Sequence, residues 1–155
     1  MVAQSSPRLP LTDVERTRLR RCRIKLRDIA AMELDPLTVA LQCTRDRAVN
    51  LRALAAFQAI PSVGPAAAQW FLDLGFRSLE PLRSETGPDL LERLEVLYGH
   101  WMDPCVEDVL WCVVHHAKHP GSDKVWYDFT AQRKAHRSQH GYPANRPTRA
   151  WYDTP

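Results

Sequence analysis

The sequence predicts an all-α protein, a compact helical domain with a basic, aromatic-rich tail packed on it, and three observations carry that reading. Apolar residues recur at three and four over residues 36–42 and 46–58. Helix-starting side chains stand where those runs begin: Thr12 with Glu15 three residues on, Thr44, Ser78 and Asp103. Between two of the runs, Ile60-Pro61-Ser62-Val63-Gly64-Pro65 punctuates the chain so heavily that it reads as a tight turn joining a helical hairpin.

Taken in order, residues 1–10 hold prolines and serines without periodicity and read as a loose leader. A helix follows from the Thr12/Glu15 capping box, with Leu19, Cys22, Leu26 and Ile29 on one apolar face and Arg16, Arg20, Arg23 and Arg27 as a cationic stripe beside it. Asp35-Pro36 ends that helix and starts the next, and Thr44 caps the run that ends at Gln58. Beyond the hairpin, Leu74-Gly75 is a helix stop and Ser78 opens a short helical turn. Gly87-Pro88-Asp89 introduces a helix over 90–97 whose Leu90, Leu91, Leu94 and Leu97 form a buried face. Asp103-Pro104 then starts a helix carrying Cys105, Cys112, His115, His116 and His119. The expected organisation is one domain, with a leader at 1–10, a helical body at 11–128 holding the hairpin at 46–72, and a basic extension at 129–155.

The hairpin is the stretch around which the rest is arranged. Pro61 ends the first helix, Gly64 is expected to supply the positive φ of a sharp reversal, and Pro65 suits the first turn of the second helix. Val63 plugs the gap between the helices and Ala68 lets them cross closely. The arrangement resembles the helix-hairpin-helix motif of DNA-handling proteins, which implies a phosphate held by backbone N–H groups of the turn and of the second helix's first residues. Carried over, those groups belong to Ser62, Val63, Gly64, Ala66 and Ala67. The sequence departs from the motif twice, with Ser62 where its first glycine usually stands and Ala66 where a basic residue often follows the proline.

With 155 residues the chain is long enough to bury a core without disulfides or metal. Four cysteines without C-x-x-C spacing read as reduced thiols, and the absence of a long apolar run or a signal-like start points to the cytoplasm and away from a membrane. The net charge of +3 conceals a division: +4 over 1–34, −5 over 35–128 and +4 over 129–155. Basic ends on an acidic body suit contacts with phosphates, from Arg16, Arg20 and Arg23 at one end and Arg133, Lys134 and Arg137 at the other.

Catalytic chemistry finds little support. Cys105 in a helix first turn invites a lowered thiol pKa, opposed by Glu107 and Asp108. The Cys105 to His119 series runs along about 20 Å of a single helix, too far for one tetrahedral metal ion to bridge. No catalytic triad, nucleotide-binding glycine loop or paired carboxylates stand elsewhere, so neither a reaction nor a cofactor nor a metal is read from the sequence.

The segments Ile60-Pro61-Ser62-Val63-Gly64, Leu74-Gly75-Phe76-Arg77-Ser78-Leu79, Asp103-Pro104-Cys105-Val106-Glu107-Asp108 and Cys112-Val113-Val114, with the ending Trp126-Tyr127-Asp128-Phe129 and His140-Gly141-Tyr142-Pro143, resemble the bacterial pathogenicity-locus family of small helix-hairpin-helix proteins, some of whose members are labelled mitomycin-resistance proteins. A second resemblance, confined to Ile60 through Leu82, is to the C-terminal domain of competence regulators of the transformation type. These resemblances imply an all-helical fold and DNA binding without sequence preference, linked by association to repair or competence. The competing expectation is a protein-interaction module presenting an acidic surface of Glu92, Glu95, Glu107 and Asp108, and a third is a thiol or metal protein built on Cys105 or Cys112.

Overall fold

The structure, a computed structural model, describes residues 5–153, and every regular element among them is helical. Seven α-helices follow in order: α1 Asp13–Arg21, α2 Leu34–Leu41, α3 Arg45–Gln58, α4 Pro65–Asp73, α5 Gly87–Tyr98, α6 Pro104–Lys118 and α7 Thr130–His140. Short 3-10 turns at 26–31, 80–84, 126–129 and 151–153 link or finish them. No helix among the described residues is long and apolar enough to cross a membrane. The chain divides into two compact units, with the boundary between Leu79 and Glu80.

In the first unit the predicted caps are in place. Thr12 and Glu15 form the reciprocal capping box of α1, and Thr44 Oγ1 accepts the N–H of Arg47 at the start of α3. The long helix expected beyond Thr12 is broken: α1 stops at Arg21, and Arg23 takes a left-handed φ of 57° before the 3-10 turn of Leu26–Ala31. Arg16 and Arg20 therefore share a helical face, whereas Arg23 and Arg27 lie beyond it. Leu19, Ile29, Leu37, Leu41, Leu51, Phe57 and Phe71 fill the core, with the Phe57 and Phe71 rings 5.2 Å apart and Ala68 fully buried where α3 meets α4.

One ion pair ties this unit's ends together. Arg47 on α3 bonds both Glu15 oxygens, at 2.8 and 3.2 Å, and also the carbonyl of Pro10 at 2.6 Å. The guanidinium of Arg47 holds the Glu15 carboxyl down at about 2, against the opposing effect of burial. From residue 5 the leader is fastened as well: Leu9 is buried, and Arg8 and Gln58 exchange two bonds, the Arg8 N–H donating to Gln58 Oε1 and Gln58 Nε2 donating to the Arg8 carbonyl, both at 2.9 Å. Residues 1–4 of the expected leader lie outside the described residues.

The second unit is organised by buried carboxylates. Glu95 on α5 and Glu107 and Asp108 on α6 have almost no exposure, and each meets an arginine from the C-terminal segment. Arg133 Nε reaches Asp108 at 2.7 Å, Arg137 Nε reaches Glu107 at 2.9 Å, and Arg146 grips both Glu95 oxygens at 2.9 and 3.0 Å. The remaining oxygen capacity is used by Thr130 Oγ1 on Asp108, the Trp111 indole N–H on Glu107 and the Met102 N–H on Glu95. Tyr142 lies between two of the cations, 4.3 Å from Arg137 and 3.7 Å from Arg146, so its ring face shares their charge. The chain then returns as an extended segment, and Trp151 N–H and Trp101 N–H bond the Trp101 and Arg149 carbonyls around an isolated parallel bridge, Trp101 with Ala150. On α5, Leu90, Leu91 and Leu94 are buried as expected, but Leu97 points outward with 54% exposure because the helix's buried stripe passes to Glu95.

Two consequences are measurable. Arg133→Met leaves the Asp108 carboxylate buried without its cation and should cost about 3–5 kcal/mol, whereas Arg133→Met combined with Asp108→Leu should recover most of that loss. A urea titration followed by indole fluorescence reads this directly, since four of the five tryptophans lie beyond residue 79. Glu15 has a folded-state pKa below its ordinary value of 4.5, so its pairing stabilises the protein at neutral pH and that contribution is lost as pH falls from about 4.5 to about 2. Glu15→Gln should be less stable than the parent at pH 7, and the gap between the two should close as the pH approaches about 2.

Candidate nucleic-acid interface

The hairpin turn joins α3 to α4 through Ala59–Gly64. Ile60 and Val63 are buried beneath it, the Val63 N–H closes the turn onto the Ile60 carbonyl at 3.1 Å, and Ser62, Gly64, Pro65 and Ala66 are exposed above. The positive φ falls on Ser62, at 68°, while Gly64 is extended at φ −94° and ψ −177°. The expectation for Gly64 is thereby corrected: the left-handed residue of the reversal is Ser62, two residues earlier. Ser62 accepts that backbone at a steric cost glycine avoids, and a Cβ built on Gly64 meets nothing within 4 Å.

Gly64 is the residue before α4, and without a side chain it provides no cap for it. Thr12, Thr44, Thr86 and Asp103 each occupy a first-turn N–H of their helices. At α4 the first-turn donors of Ala66 and Ala67 have no partner within the helix, and Pro65 has no N–H to leave unpaired. Val63 is removed from the expected donor set because its N–H is spent inside the turn.

The leader brings a cation to this place. Ser5–Arg8 line one side of a groove of about 350 Å³ whose other side is Gln58, Val63, Gly64 and Pro65. Arg8 is exposed there, its backbone fixed by Gln58, and Arg27 lines a smaller adjoining recess with Pro7, Gln58 and Ala59. Reading residues 1–10 as loose missed Arg8. The available signal was Leu9, an apolar residue just ahead of a capping box, which gives the leader something to bury. Arg16 extends toward the same segment, 3.5 Å from the Leu9 carbonyl, and Arg20 is exposed one turn further along α1.

The cations expected at the other end divide differently. Arg133 and Arg137 are committed to Asp108 and Glu107, so their guanidinium groups already have anionic partners; Lys134, between them on α7, is exposed. The same pairs correct the expected acidic surface: Glu95, Glu107 and Asp108 face the interior, and Glu92 is partly exposed.

The cysteine and histidine series is also engaged locally. Cys105 is exposed, yet desolvation and the neighbouring Asp103 carboxylate raise its thiol pKa above the ordinary value, opposite to an activated thiolate. His116 Nε2 donates to the Lys124 carbonyl at 2.8 Å, and His115 Nε2 meets Ser122 Oγ at 3.0 Å. Among the described residues no three His, Cys, Asp or Glu side chains converge as a metal site would require.

The family described as Pathogenicity locus has a sequence model that matches residues 50–135, more than half of the chain. A Streptomyces lavendulae protein named Mitomycin resistance protein McrB is 29% identical to this chain over 73 residues, which are 47% of this chain and 69% of that protein. No solved structure matches.

The turn geometry makes opposite forecasts for its two central residues. Ser62→Gly should stabilise the protein by about 0.5–1 kcal/mol, the relief of left-handed strain exceeding glycine's added unfolded-state entropy. Gly64→Val should fold normally and lose no more than about 1 kcal/mol, the difference between glycine and a branched residue ahead of a helix. Thermal melts of the two variants beside the parent decide both.

Proposed function

The chain belongs to the Pathogenicity locus family, and from that premise we propose that it binds nucleic-acid phosphates without sequence preference through the start of α4. The observation that carries the reading is the uncapped first turn of α4, exposed at Pro65 and Ala66, with Arg8 held beside it. Helix-terminal N–H groups direct partial positive charge at an anion, and a phosphate oxygen can accept from them without any base being read. Ala66 removes the cation that would follow the proline, and Arg8 supplies one from the leader instead. Arg27, Arg16 and Arg20 extend the positive charge within the first unit, and exposed Lys134 is a further phosphate contact in the second. Arg133 and Arg137 have no part in binding, because withdrawing them would strand buried carboxylates. Arg23 contributes as an exposed cation after the end of α1.

The reading is that of a cytoplasmic DNA-binding protein built on a helix-hairpin-helix, and it calls for neither a cofactor nor a reaction. An interaction module with an acidic face is less well supported, since the carboxylates that would have formed that face are internal.

Binding to a random duplex of about 20 base pairs, followed by fluorescence anisotropy, should weaken steeply with salt, with a slope in log affinity against log salt of roughly −3 to −5 for four or five neutralised phosphates. Replacing Arg8 and Arg27 together by alanine should flatten the slope by about two. Sequence changes in the duplex should have little effect. Absence of binding to duplex and to single strand at about 20 mM salt overturns the proposal.

A further inference from the structure

The second unit contains a cleft of about 390 Å³ that phosphate binding leaves unused. Trp111, Val114 and Phe129 form its apolar walls, and Lys118, Gln132 and His136 stand among its polar lining. We propose that this cleft binds a planar heteroaromatic ring, either an unpaired base of a nucleic-acid strand or a free compound of the same chemistry. The proposal goes beyond the phosphate reading and does not depend on it.

The fixed position of Trp111 is the first support. Its indole N–H donates to Glu107 at 3.0 Å, and Glu107 is itself held by Arg137 at 2.9 Å. The ring also lies so close to Gly87 that a Cβ there would fall 2.5 Å from Cδ1 and 2.8 Å from Nε1. Glycine at 87 is therefore what allows this ring to occupy its place against the start of α5. A side chain held along its edge and against its ring loses little freedom when a ligand arrives, which is the condition for an effective stacking surface.

The second support is the shape and polarity of what surrounds it. His136 meets Trp111 at 5.9 Å with the rings inclined by 70°, so two aromatic rings stand together in the lining. Its volume falls within the range of small-ligand sites, of order 300–1,000 Å³. Gln132, Lys118 and His136 supply donors and acceptors for ring heteroatoms and substituents, which a plain hydrocarbon would leave unmatched. Burial and the neighbouring His119, His116 and Lys124 hold the His115 imidazole below its usual range. A cleft walled by tryptophan and phenylalanine and left open is surface that packing alone tends to close.

The test uses the full chain labelled with nitrogen-15, with the Trp111 indole N–H resonance assigned by its loss in Trp111→Phe. Adenosine and quinoline are titrated into the parent and into Gln132→Trp, which places a bulky ring at an exposed lining position. At least one probe should shift the Trp111 resonance with a submillimolar to millimolar dissociation constant, about tenfold weaker in Gln132→Trp. A deoxyadenosine oligonucleotide shifting the same resonance at far lower concentration than adenosine assigns the ring to a strand. Strong binding of a free compound with no effect of the oligonucleotide assigns it to a small molecule. The proposal is overturned if neither probe nor oligonucleotide moves Trp111, or if the shifts persist undiminished in a folded Gln132→Trp. Duplex affinity measured on Gln132→Trp keeps the two questions apart, because the phosphate reading expects it unchanged.

Discussion

Three carboxylates buried on two adjacent helices dictate how the second half of this protein is built. An ionised side chain removed from water is tolerated only with a partner of opposite charge and with its remaining oxygen lone pairs satisfied. Glu95, Glu107 and Asp108 meet both conditions through Arg146, Arg137 and Arg133, together with Met102, Trp111 and Thr130, and no buried side-chain nitrogen or oxygen among the described residues is left without a hydrogen-bond partner. Arg133 and Arg137, four residues apart, lie on one side of α7 and meet two carboxylates that are consecutive on α6. That match positions α7. Arg146 then brings the extended segment back to α5, where it pairs with Trp101.

The first unit depends on fewer charges. Its core is aliphatic and aromatic, and the Glu15–Arg47 pair ties the capping box of α1 to α3 and to the carbonyl of Pro10. The same glutamate thus caps a helix and holds the arginine that anchors the leader's end. With Leu9 buried and Gln58 holding Arg8, residues that look unstructured in isolation become one wall of the groove beside α4.

How much of this the sequence disclosed depended on whether the signal was local. Thr12 with Glu15, Thr44 and Asp103 are caps whose partners lie within three residues, and each acts as its spacing implies. The turn between α3 and α4 was legible for the same reason, although Pro61 and Gly64 drew attention to the wrong left-handed residue: a serine in that conformation leaves no compositional trace. The break after Arg21 was hidden because the apolar spacing continues through Cys22 and Leu26. Least legible were the charges. Glu107 and Asp108 in the first turns of a helix look like ordinary dipole-compensating acids, and arginines in a basic tail look like ligands for phosphate. Only pairing across 25 to 51 residues reveals that each group satisfies another. Arg8 was obscured in the same way, its position being set by Gln58 fifty residues away.

The order in which the paired charges occur along the chain has its own consequence. During synthesis Glu95, Glu107 and Asp108 emerge well before Arg133, Arg137 and Arg146, so α5 and α6 exist for a time with carboxylates whose partners have not been made. Packed together at that stage, the two helices would bury uncompensated charge, and the acids instead favour keeping them hydrated and apart. The cations that compensate the second unit's buried acids are thus the last of these charges to be made, and a chain ending short of residue 146 would lack the partner of Glu95.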